Sequence, residues 1–148
     1  MQIKELHSRE EIQDSFAVLS QIYQDLDESK YVDIILNMMQ RGYKMAAVFE
    51  GSSADNDNKS GECIGVVGIR ISRRLEYNKV LEIEDFMICR KKRGIGVGKM
   101  LIRWVEWQAL TFQCNKIICN LDSKRLESHK ILSREKFILE GFHFRKVC

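Results

Sequence analysis

The sequence predicts a mixed α/β or α+β fold, with a sheet that has helices on both faces. Three observations support this class. Apolar residues recur with helical spacing in four segments, and they alternate or run together in six shorter ones. The order is strand, two helices, three strands, and then helix, strand, helix and strand. The strand–helix–strand steps near the end require at least one right-handed parallel crossover.

The composition is that of an ordinary globular protein. The 148 residues are 45% hydrophobic and 30% charged, so we expect one domain over residues 1–148. No apolar run approaches the roughly 18 residues that a membrane span needs, and the charged start is not typical of a signal peptide. The net charge of +3 is too small to indicate nucleic-acid binding by itself. Five cysteines without a CxxC pair indicate reduced thiols and a cytoplasmic protein.

The first part of the chain is expected to form one strand and two helices. Residues 2–6 alternate between polar and apolar side chains and predict a short strand. Ser8 and Glu11 have the spacing of a capping box, so a helix is expected from there to residue 26. The segment ESKYVDIILNMMQRGY predicts a second helix, which Gly42 ends.

Strands dominate the middle of the chain and alternate with helices towards its end. The middle strands are expected at 43–50, 62–72 and 79–90, with a polar loop at 51–61. The later elements are expected to be a helix at 98–112, a strand at 116–121, a helix at 125–137 and a strand at 138–147. The sequence contains no proline, so its turns depend on Gly, Asn, Asp and Ser.

The segment RKKRGIGVGKML, residues 90–101, is dense in glycine. Gly94, Gly96 and Gly98 alternate with Ile95 and Val97 between the end of a strand and the start of a helix. A helix start presents unpaired N–H groups and about half a positive charge, and glycine lets an anion reach them. Because a tight turn alone needs only one glycine, we favour a phosphate or pyrophosphate site over a purely structural turn.

Two other phosphate-binding motifs do not fit this segment. A P-loop needs GxxxxGK[ST], but Arg93 stands at its first glycine position. The dinucleotide fingerprint GxGxxG needs a third glycine where Leu101 stands. The pattern [QR]xxGx[GA] does fit, with Arg93, Gly96 and Gly98.

This pattern resembles the pyrophosphate loop of the GNAT superfamily of acyl-CoA N-acyltransferases. The resemblance extends to the order of elements and to the stretches RGYKMAAVFE, LEIEDFMICRKKRGIGVGKMLIRWVE and NLDSKRLESHKILSREKFILEGFHFRK, which are similar to a bacterial branch. It implies a twisted, mostly antiparallel sheet of six to seven strands flanked by about four helices. It further implies acetyl-CoA as co-substrate, no metal, and acetyl transfer to an amine on a small molecule or a protein by direct attack in a ternary complex.

The resemblance also implies where CoA binds. The glycine turn should hold the pyrophosphate, and the basic residues 90–92 should meet the ribose phosphate, although a solvated basic turn is the alternative. The pantetheine arm should bind as an added strand where the strands at 79–90 and 116–121 splay apart. The expected CoA-binding residues are Phe86, Met87, Ile88, Arg93, Gly94, Ile95, Gly96, Val97, Gly98 and Lys99.

Three acids before the glycine turn are candidates for the base that deprotonates the amine. An alkylamine has a pKa of about 10, so a carboxylate is the usual base. We rank Glu84 first, then Glu82, then Asp85. Strand alternation predicts Glu82 and Glu84 on one face and Asp85 on the other. The alternative is that these acids are merely exposed or bind a cationic substrate. A backbone N–H near Ile88 is expected to polarise the thioester carbonyl.

One position departs from the GNAT pattern. The resemblance implies a tyrosine in the last helix that protonates the CoA sulfur, but Leu132 stands there and Ser133 is a poor substitute. A non-catalytic acyl-CoA-binding or regulatory module is therefore one alternative. Acetylation of a protein N-terminus or lysine is another, and nucleic-acid binding is the least supported. Whether the protein forms a homodimer is left open.

The histidines and cysteines favour structural roles. His129 is expected to pack or cap in the last helix, and His143 to lie in the closing strand. Cys89 and Cys119 flank the expected CoA arm, and we interpret them as small apolar side chains rather than nucleophiles. No cluster of His, Cys and Asp has metal-ligand spacing.

Overall fold

The structure is a computed structural model that describes residues 1–51 and 61–148. The strands are β1 Gln2–Glu5, β2 Tyr43–Glu50, β3 Glu62–Arg74, β4 Asn78–Ile88 and β5 Lys116–Cys119. The helices are α1 Arg9–Leu19, α2 Glu28–Gln40, α3 Val97–Thr111 and α4 Leu126–Arg134, with a short 3-10 turn at Arg90–Lys92. Most of the polar loop predicted at 51–61 lies outside the described residues.

The strands form one sheet in the order β1-β2-β3-β4-β5. The first four strands pair antiparallel with their neighbours, whereas β4 and β5 pair in parallel. Helix α3 makes the crossover between these two parallel strands, as the sequence predicts. A mostly antiparallel sheet with four helices confirms the predicted fold class.

The described residues contain a five-stranded sheet, fewer than the six to seven strands expected. The segment 138–147, predicted as the closing strand, pairs with none of the described strands. Its apolar side chains face outward, with Phe142 84% and Phe144 91% exposed. The prediction was wrong because alternation identifies a strand-forming segment but not a partner edge, and a strand needs both.

The sheet separates two apolar cores, so helices do lie on both faces. Helices α1 and α2 cover one face, where Ile12, Leu19 and Ile35 pack on Met45 and Val66. Helix α3 covers the other, and its core residues are Val97, Leu101, Ile102, Val105 and Ala109. Strands β2, β3 and β4 each contribute buried side chains to both cores.

Helix α1 ends at Leu19 rather than at residue 26 as expected. The chain turns tightly there, because Ile22 and Tyr23 both donate backbone hydrogen bonds to the Leu19 carbonyl at 3.0 Å. A further bond of 3.1 Å joins the Leu26 N–H to the Tyr23 carbonyl, just before Asp27 caps α2. The connection that results brings Tyr23 into contact with β4.

The predicted capping box at the start of α1 is confirmed. Glu11 donates its N–H to Ser8 Oγ at 3.2 Å, and the Glu11 carboxylate accepts the Ser8 N–H at 3.0 Å. The same carboxylate pairs with Lys4. The Lys4 hydrogen bond, followed by the backbone bonds from His7 and Ser8, lowers the pKa of Glu11 from its usual 4.5 to about 2.

Replacing Glu11 by Gln should remove a stabilisation that depends on pH. Because the pKa of Glu11 is lower in the folded chain, its contribution is present above pH 4.5 and is lost as the pH falls towards 2. The difference in unfolding free energy between wild type and Glu11→Gln should therefore shrink over this range. Urea unfolding at several pH values measures it, with the exposed Glu10→Gln as control. A difference that stays constant with pH would contradict this expectation.

Gly65 lets α3 lie close to the sheet. A Cβ at this position would lie 2.5 Å from Val97 Cγ1 and 3.4 Å from Leu101 Cδ1. We expect Gly65→Ala to destabilise the fold by about 1–3 kcal/mol, because the helix must move away from β3. Urea denaturation measures the change, and Gly141→Ala, where a Cβ meets no atom within 4 Å, is the control. If Gly65→Ala and Gly141→Ala unfold at the same urea concentration, α3 accommodates the added methyl group without loss of stability.

Candidate functional site

The pairing of β4 with β5 ends partway along β4, and the unpaired edge of β4 beyond it is called the cleft below. Residues Val80–Ile83 of β4 pair with all of β5, whose last residue, Cys119, lies opposite Ile83. Strand β4 continues to Ile88 with no β5 partner. Its free edge therefore has unpaired backbone groups, which an extended ligand can bind as an added strand would.

The backbone of β4 determines which residues serve this cleft. Cys89 donates its N–H to the Ile64 carbonyl of β3 at 2.9 Å, and alternate residues of a strand direct their backbone groups to opposite sides. The backbone N–H and C=O groups of Phe86 and Ile88 thus point to the cleft, while those of Met87 point to β3. In agreement, Arg125, from the loop before α4, donates to the Phe86 carbonyl. Two of the three predicted strand residues therefore direct their backbone groups to this edge, where the Phe86 carbonyl accepts from Arg125.

The glycine turn at the start of α3 has the backbone that glycine permits. Gly94 and Gly96 have φ values of 83° and 94°, in the left-handed region that other residues rarely adopt. Gly96 is the N-cap of α3 and has no side chain to accept the N–H groups of the first turn. The side chains of Ser8 and Asp27 do this for α1 and α2. The amides of Val97–Lys99 are thus left for an acceptor from outside the helix.

Gly98 has a different role from the other two glycines. It is helical and buried, and a Cβ there would lie 3.0 Å from Ile88 Cδ1 and 3.2 Å from two carbons of Ile131. The glycine therefore lets α3 and α4 approach each other at the end of β4. Val97 beside it is 1% exposed, so these two predicted CoA-binding residues can offer only backbone.

The basic side chains around the turn are not equivalent. Arg93, Lys99 and Lys91 are exposed, and Ile95 is 46% exposed. Lys92 instead pairs with Glu50, whose hydrogen bond raises the pKa of the lysine. Lys92 is thus engaged within the protein, whereas Lys91, Arg93 and Lys99 have no ion-pair partner among the residues that the structure describes.

Strand β4 contains a bulge at Glu84. Gly68 of β3 lies opposite Asp85 and Ile69 lies opposite Ile83, which leaves Glu84 without a partner. The side chains that face α3 are therefore Leu81 and Ile83 before the bulge, and Phe86 and Ile88 after it. The alternation changes phase at Glu84. The prediction that Asp85 faces away from Glu84 was wrong for this reason, since both contact residues on the α1–α2 side.

Asp85 is held by two tyrosines. Tyr43 donates its hydroxyl to Asp85 Oδ2 at 2.6 Å, and Tyr23 donates to Oδ1. Tyr43 is 2% exposed, and its ring reaches Asp85 across Gly68, where a Cβ would overlap the Tyr43 hydroxyl. Burial, and after it the charge of Asp85, raises the pKa of both tyrosines. Both therefore stay protonated and donate to the carboxylate.

The two glutamates are each paired with an arginine. Glu84 Oε1 accepts from Arg70 Nε at 2.6 Å. Glu82 accepts from Arg74 at 2.9 Å and from Asn120 at 3.2 Å. The three acids therefore do not present three free negative charges. That weakens the alternative that these acids bind a cationic substrate.

Sequence reasoning did not identify Tyr23, Tyr43 or Arg125 as site residues. One signal for Tyr43 was present, since a glycine inside a strand often marks a close approach, and Gly68 is such a glycine. No local signal identifies Tyr23, because it lies in a turn that was expected to be helix. Arg125 was expected to begin the last helix, whereas α4 starts at Leu126.

The remaining candidates have structural surroundings. Leu132 packs against the α3 core, and His129 Nε2 lies 2.9 Å from the Asp122 carbonyl in the turn before α4. Burial raises the pKa of Cys119 to about 12, so its thiol stays protonated. All five cysteines are free. In the ranges 1–51 and 61–148, no group of three or more His, Cys, Asp or Glu is placed to hold a metal ion.

Among the helices that the structure describes, none has the length and apolar character needed to cross a membrane.

A family comparison agrees with this geometry. The family described as "Acetyltransferase (GNAT) family" matches residues 13–132, which include the cleft and the glycine turn. A curated relative, the aminoalkylphosphonate N-acetyltransferase of Salmonella typhimurium, is 25% identical over 90 residues. That match covers 60% of this chain and 58% of the relative.

Solved structures show the same fold at low sequence identity. A ribosomal-protein-alanine N-acetyltransferase from Brucella melitensis superposes with a TM-score of 0.79 at 14% identity, over 100% of both chains. An aminoglycoside N-acetyltransferase in complex with CoA superposes with a TM-score of 0.76 at 16% identity, over 99% of this chain and 95% of that one.

Proposed function

The chain belongs to the GNAT acetyltransferase family, and on that premise we propose that it transfers an acetyl group from acetyl-CoA to a primary amine. The transfer is a direct attack of the amine on the thioester in a ternary complex. The observation that supports it most is that an uncapped glycine turn stands at the end of an unpaired strand edge. The turn suits a pyrophosphate, and the edge suits an extended amide-containing arm.

CoA binding is assigned to backbone groups first and to charges second. The amides of Gly96–Lys99 hold the pyrophosphate, with Arg93 and the Lys99 side chain adding positive charge. Gly94 and Ile95 shape the turn. Phe86 and Ile88 bind the arm, while Met87 supports the strand from the β3 side. Arg125 leaves the Phe86 carbonyl when the arm binds, because both use the same acceptor.

The chemistry is assigned to β4. The N–H of Ile88 polarises the thioester carbonyl, since it faces the cleft. Asp85 is now favoured over Glu84 and Glu82 as the base, because its hydrogen-bond partners are neutral hydroxyls rather than arginines. The oxygens of Asp85 are therefore not held in an ion pair, as those of Glu84 and Glu82 are.

The acceptor is an amine whose class the relatives suggest. Their printed names include an aminoalkylphosphonate, an aminoglycoside and a ribosomal-protein alanine as acetylated groups. A small amine is the first proposal, and a protein N-terminus or lysine is the second. A non-catalytic acyl-CoA-binding module is the alternative from another class. It is favoured by Leu132, which packs in the core where a hydroxyl would be expected.

Calorimetry and an amine panel test these proposals. Acetyl-CoA is titrated into the protein, with CoA, ATP and NAD as comparisons. CoA release is then followed with 2-aminoethylphosphonate, an aminoglycoside and a peptide with an N-terminal alanine. Binding of acetyl-CoA with turnover of one acceptor supports the enzyme, and binding without turnover favours the non-catalytic module. If folded protein ignores acetyl-CoA, the proposed function fails.

A single domain over residues 1–148 and a cytoplasmic location remain predictions, and the homodimer remains an open question.

A further inference from the structure

Residues 138–147 form an apolar segment that leaves the body of its own chain. The chain reaches it from α4 through Phe137, which still packs against the α3 core. Within the described residues, the segment has one side-chain hydrogen bond, from the Tyr77 hydroxyl to Glu140 at 3.1 Å. Its large apolar side chains are 82–91% exposed, and they are Ile138, Leu139, Phe142, Phe144 and Val147. Exposed apolar side chains at this density mark an interaction surface.

One edge of the sheet suits a further strand. Strand β5 is an edge strand, and β4 is its one partner among the described strands. Its residues Ile117, Ile118 and Cys119 are only half-buried. Leu81 and Ile83, which lie opposite β5 on β4, are fully buried. An apolar edge strand with unpaired N–H and C=O groups is a template for another strand.

The opposite edge of the sheet is protected. Strand β1 has four residues, and two of them, Lys4 and Glu5, are charged. They form ion pairs with Glu11 and Lys44 of the same chain. A short strand with charged side chains discourages further pairing. The edge that can accept a strand is therefore that of β5.

The segment 138–147 has passed the start of its own β5 when it leaves the body. Strand β5 begins at Lys116, and Tyr77 lies in the turn before β4, at the same end of the sheet. Because Glu140 contacts Tyr77, the residues after Glu140 continue beyond this end. The two phenylalanines among them are 84% and 91% exposed, so they do not cover the half-buried residues of β5. A strand partner for this segment has to come from another molecule.

We propose that segment 138–147 pairs with the free edge of β5 in a second copy of this chain, so that two copies exchange their segments about a two-fold axis. One chain carries both the unpaired strand and the unpaired edge, so two copies satisfy each other without a third component. Phe142 and Phe144 lie two residues apart and share one side of a strand. On β5 they extend the apolar layer that Ile117 and Cys119 form with the α3 core. This inference goes beyond the proposed function and does not depend on it.

The area that such an exchange buries is sufficient for a stable dimer. A buried phenylalanine removes about 150–250 Å² from water, so the phenylalanines of two exchanged segments account for roughly 600–1,000 Å². The other apolar side chains of the segments and the covered edges of β5 add to this area. Stable protein interfaces bury about 1,200–2,000 Å² in total.

Analytical ultracentrifugation of the full chain tests the assembly. Wild type should sediment as a dimer at micromolar concentration. Phe144→Asp places a carboxylate in the apolar interface and should raise the dissociation constant of the dimer a hundredfold or more. Leu110→Asp makes the same change on α3, at a side chain that is 78% exposed, and should leave the dimer intact. Both side chains are exposed within one copy, so circular dichroism should show both variants folded.

A photo-cross-link identifies the edge that receives the segment. Phe144→p-benzoylphenylalanine is prepared as a mixture of isotope-labelled and unlabelled copies, so that mass spectrometry distinguishes links between copies from links within one copy. Position 144 should link to residues 116–122 of the other copy.

The two measurements together decide the proposal. A dimer that Phe144→Asp dissociates and Leu110→Asp does not, with links between copies at 116–122, supports it. A monomeric wild type overturns it, and so does a dimer that Phe144→Asp leaves intact. Links within one copy, or to another region of the second copy, also overturn it. None of these readings uses acetyl-CoA, so the proposed function stands or fails separately in the calorimetry.

Discussion

Gly96→Glu should lower the affinity for acetyl-CoA by a hundredfold or more. Gly96 has a φ of 94°, so any side chain there adds backbone strain. A glutamate also places a carboxylate at the uncapped start of α3, where we assign the pyrophosphate. Like charges brought together at a binding site cost several kcal/mol, and every 1.4 kcal/mol is a factor of ten in affinity. Calorimetric titration with acetyl-CoA measures the loss.

Two further variants separate charge from strain. Gly141→Glu makes the same chemical change where a Cβ meets no atom within 4 Å, and it should leave the affinity unchanged. Gly96→Ala adds strain without charge, and its loss of affinity should be the smaller one. If Gly96→Glu binds acetyl-CoA with wild-type affinity, the pyrophosphate does not bind at this turn and the glycines have a purely structural role.

Asp85→Asn should lower kcat/KM by a factor of about 10²–10⁴ for an acceptor identified in the amine panel. The amide keeps the shape of the carboxylate but cannot take a proton from the attacking amine. Because the side chain lies on the α1–α2 side and not on the cleft edge, acetyl-CoA affinity should change little. Steady-state rates measured together with calorimetric affinities distinguish the two effects.

The neighbouring acids provide matched controls for Asp85. Glu84→Gln and Glu82→Gln make the same chemical change on the same strand, at side chains whose partners are arginines. We expect each to cost less activity than Asp85→Asn. A larger loss in Glu84→Gln would reassign the base to Glu84, the residue that the sequence ranks first.

Features encoded by neighbouring residues could be predicted from the sequence. The capping box at Ser8 and Glu11 forms as expected, and so does the helix that follows the glycine turn. The order of elements also holds as far as α4. In each case the physical cause, a cap, a left-handed glycine or an apolar period, lies within one or two turns of chain.

Features that depend on pairing between distant segments could not be predicted. The face of Asp85 depends on its register with Gly68, and a bulge leaves no mark in the alternation of a short strand. The contact of Tyr23 with Asp85 depends on how the turn after α1 folds over the sheet. The segment 138–147 has a strand pattern but lacks a partner among the described strands, which sequence alone cannot reveal.

The bulge at Glu84 has a consequence for how β4 can vary over evolution. The first length of β4, before the bulge, pairs with both β3 and β5, and the second length, after it, pairs only with β3. The side chains of the two lengths alternate out of phase. Losing or gaining one residue there would exchange the inner and outer faces of the second length, so that Met87 would replace Phe86 in the α3 core. Ordinary substitutions alter one length without disturbing the other. The scaffold half and the ligand half of β4 can therefore diverge separately, provided that their junction keeps its length.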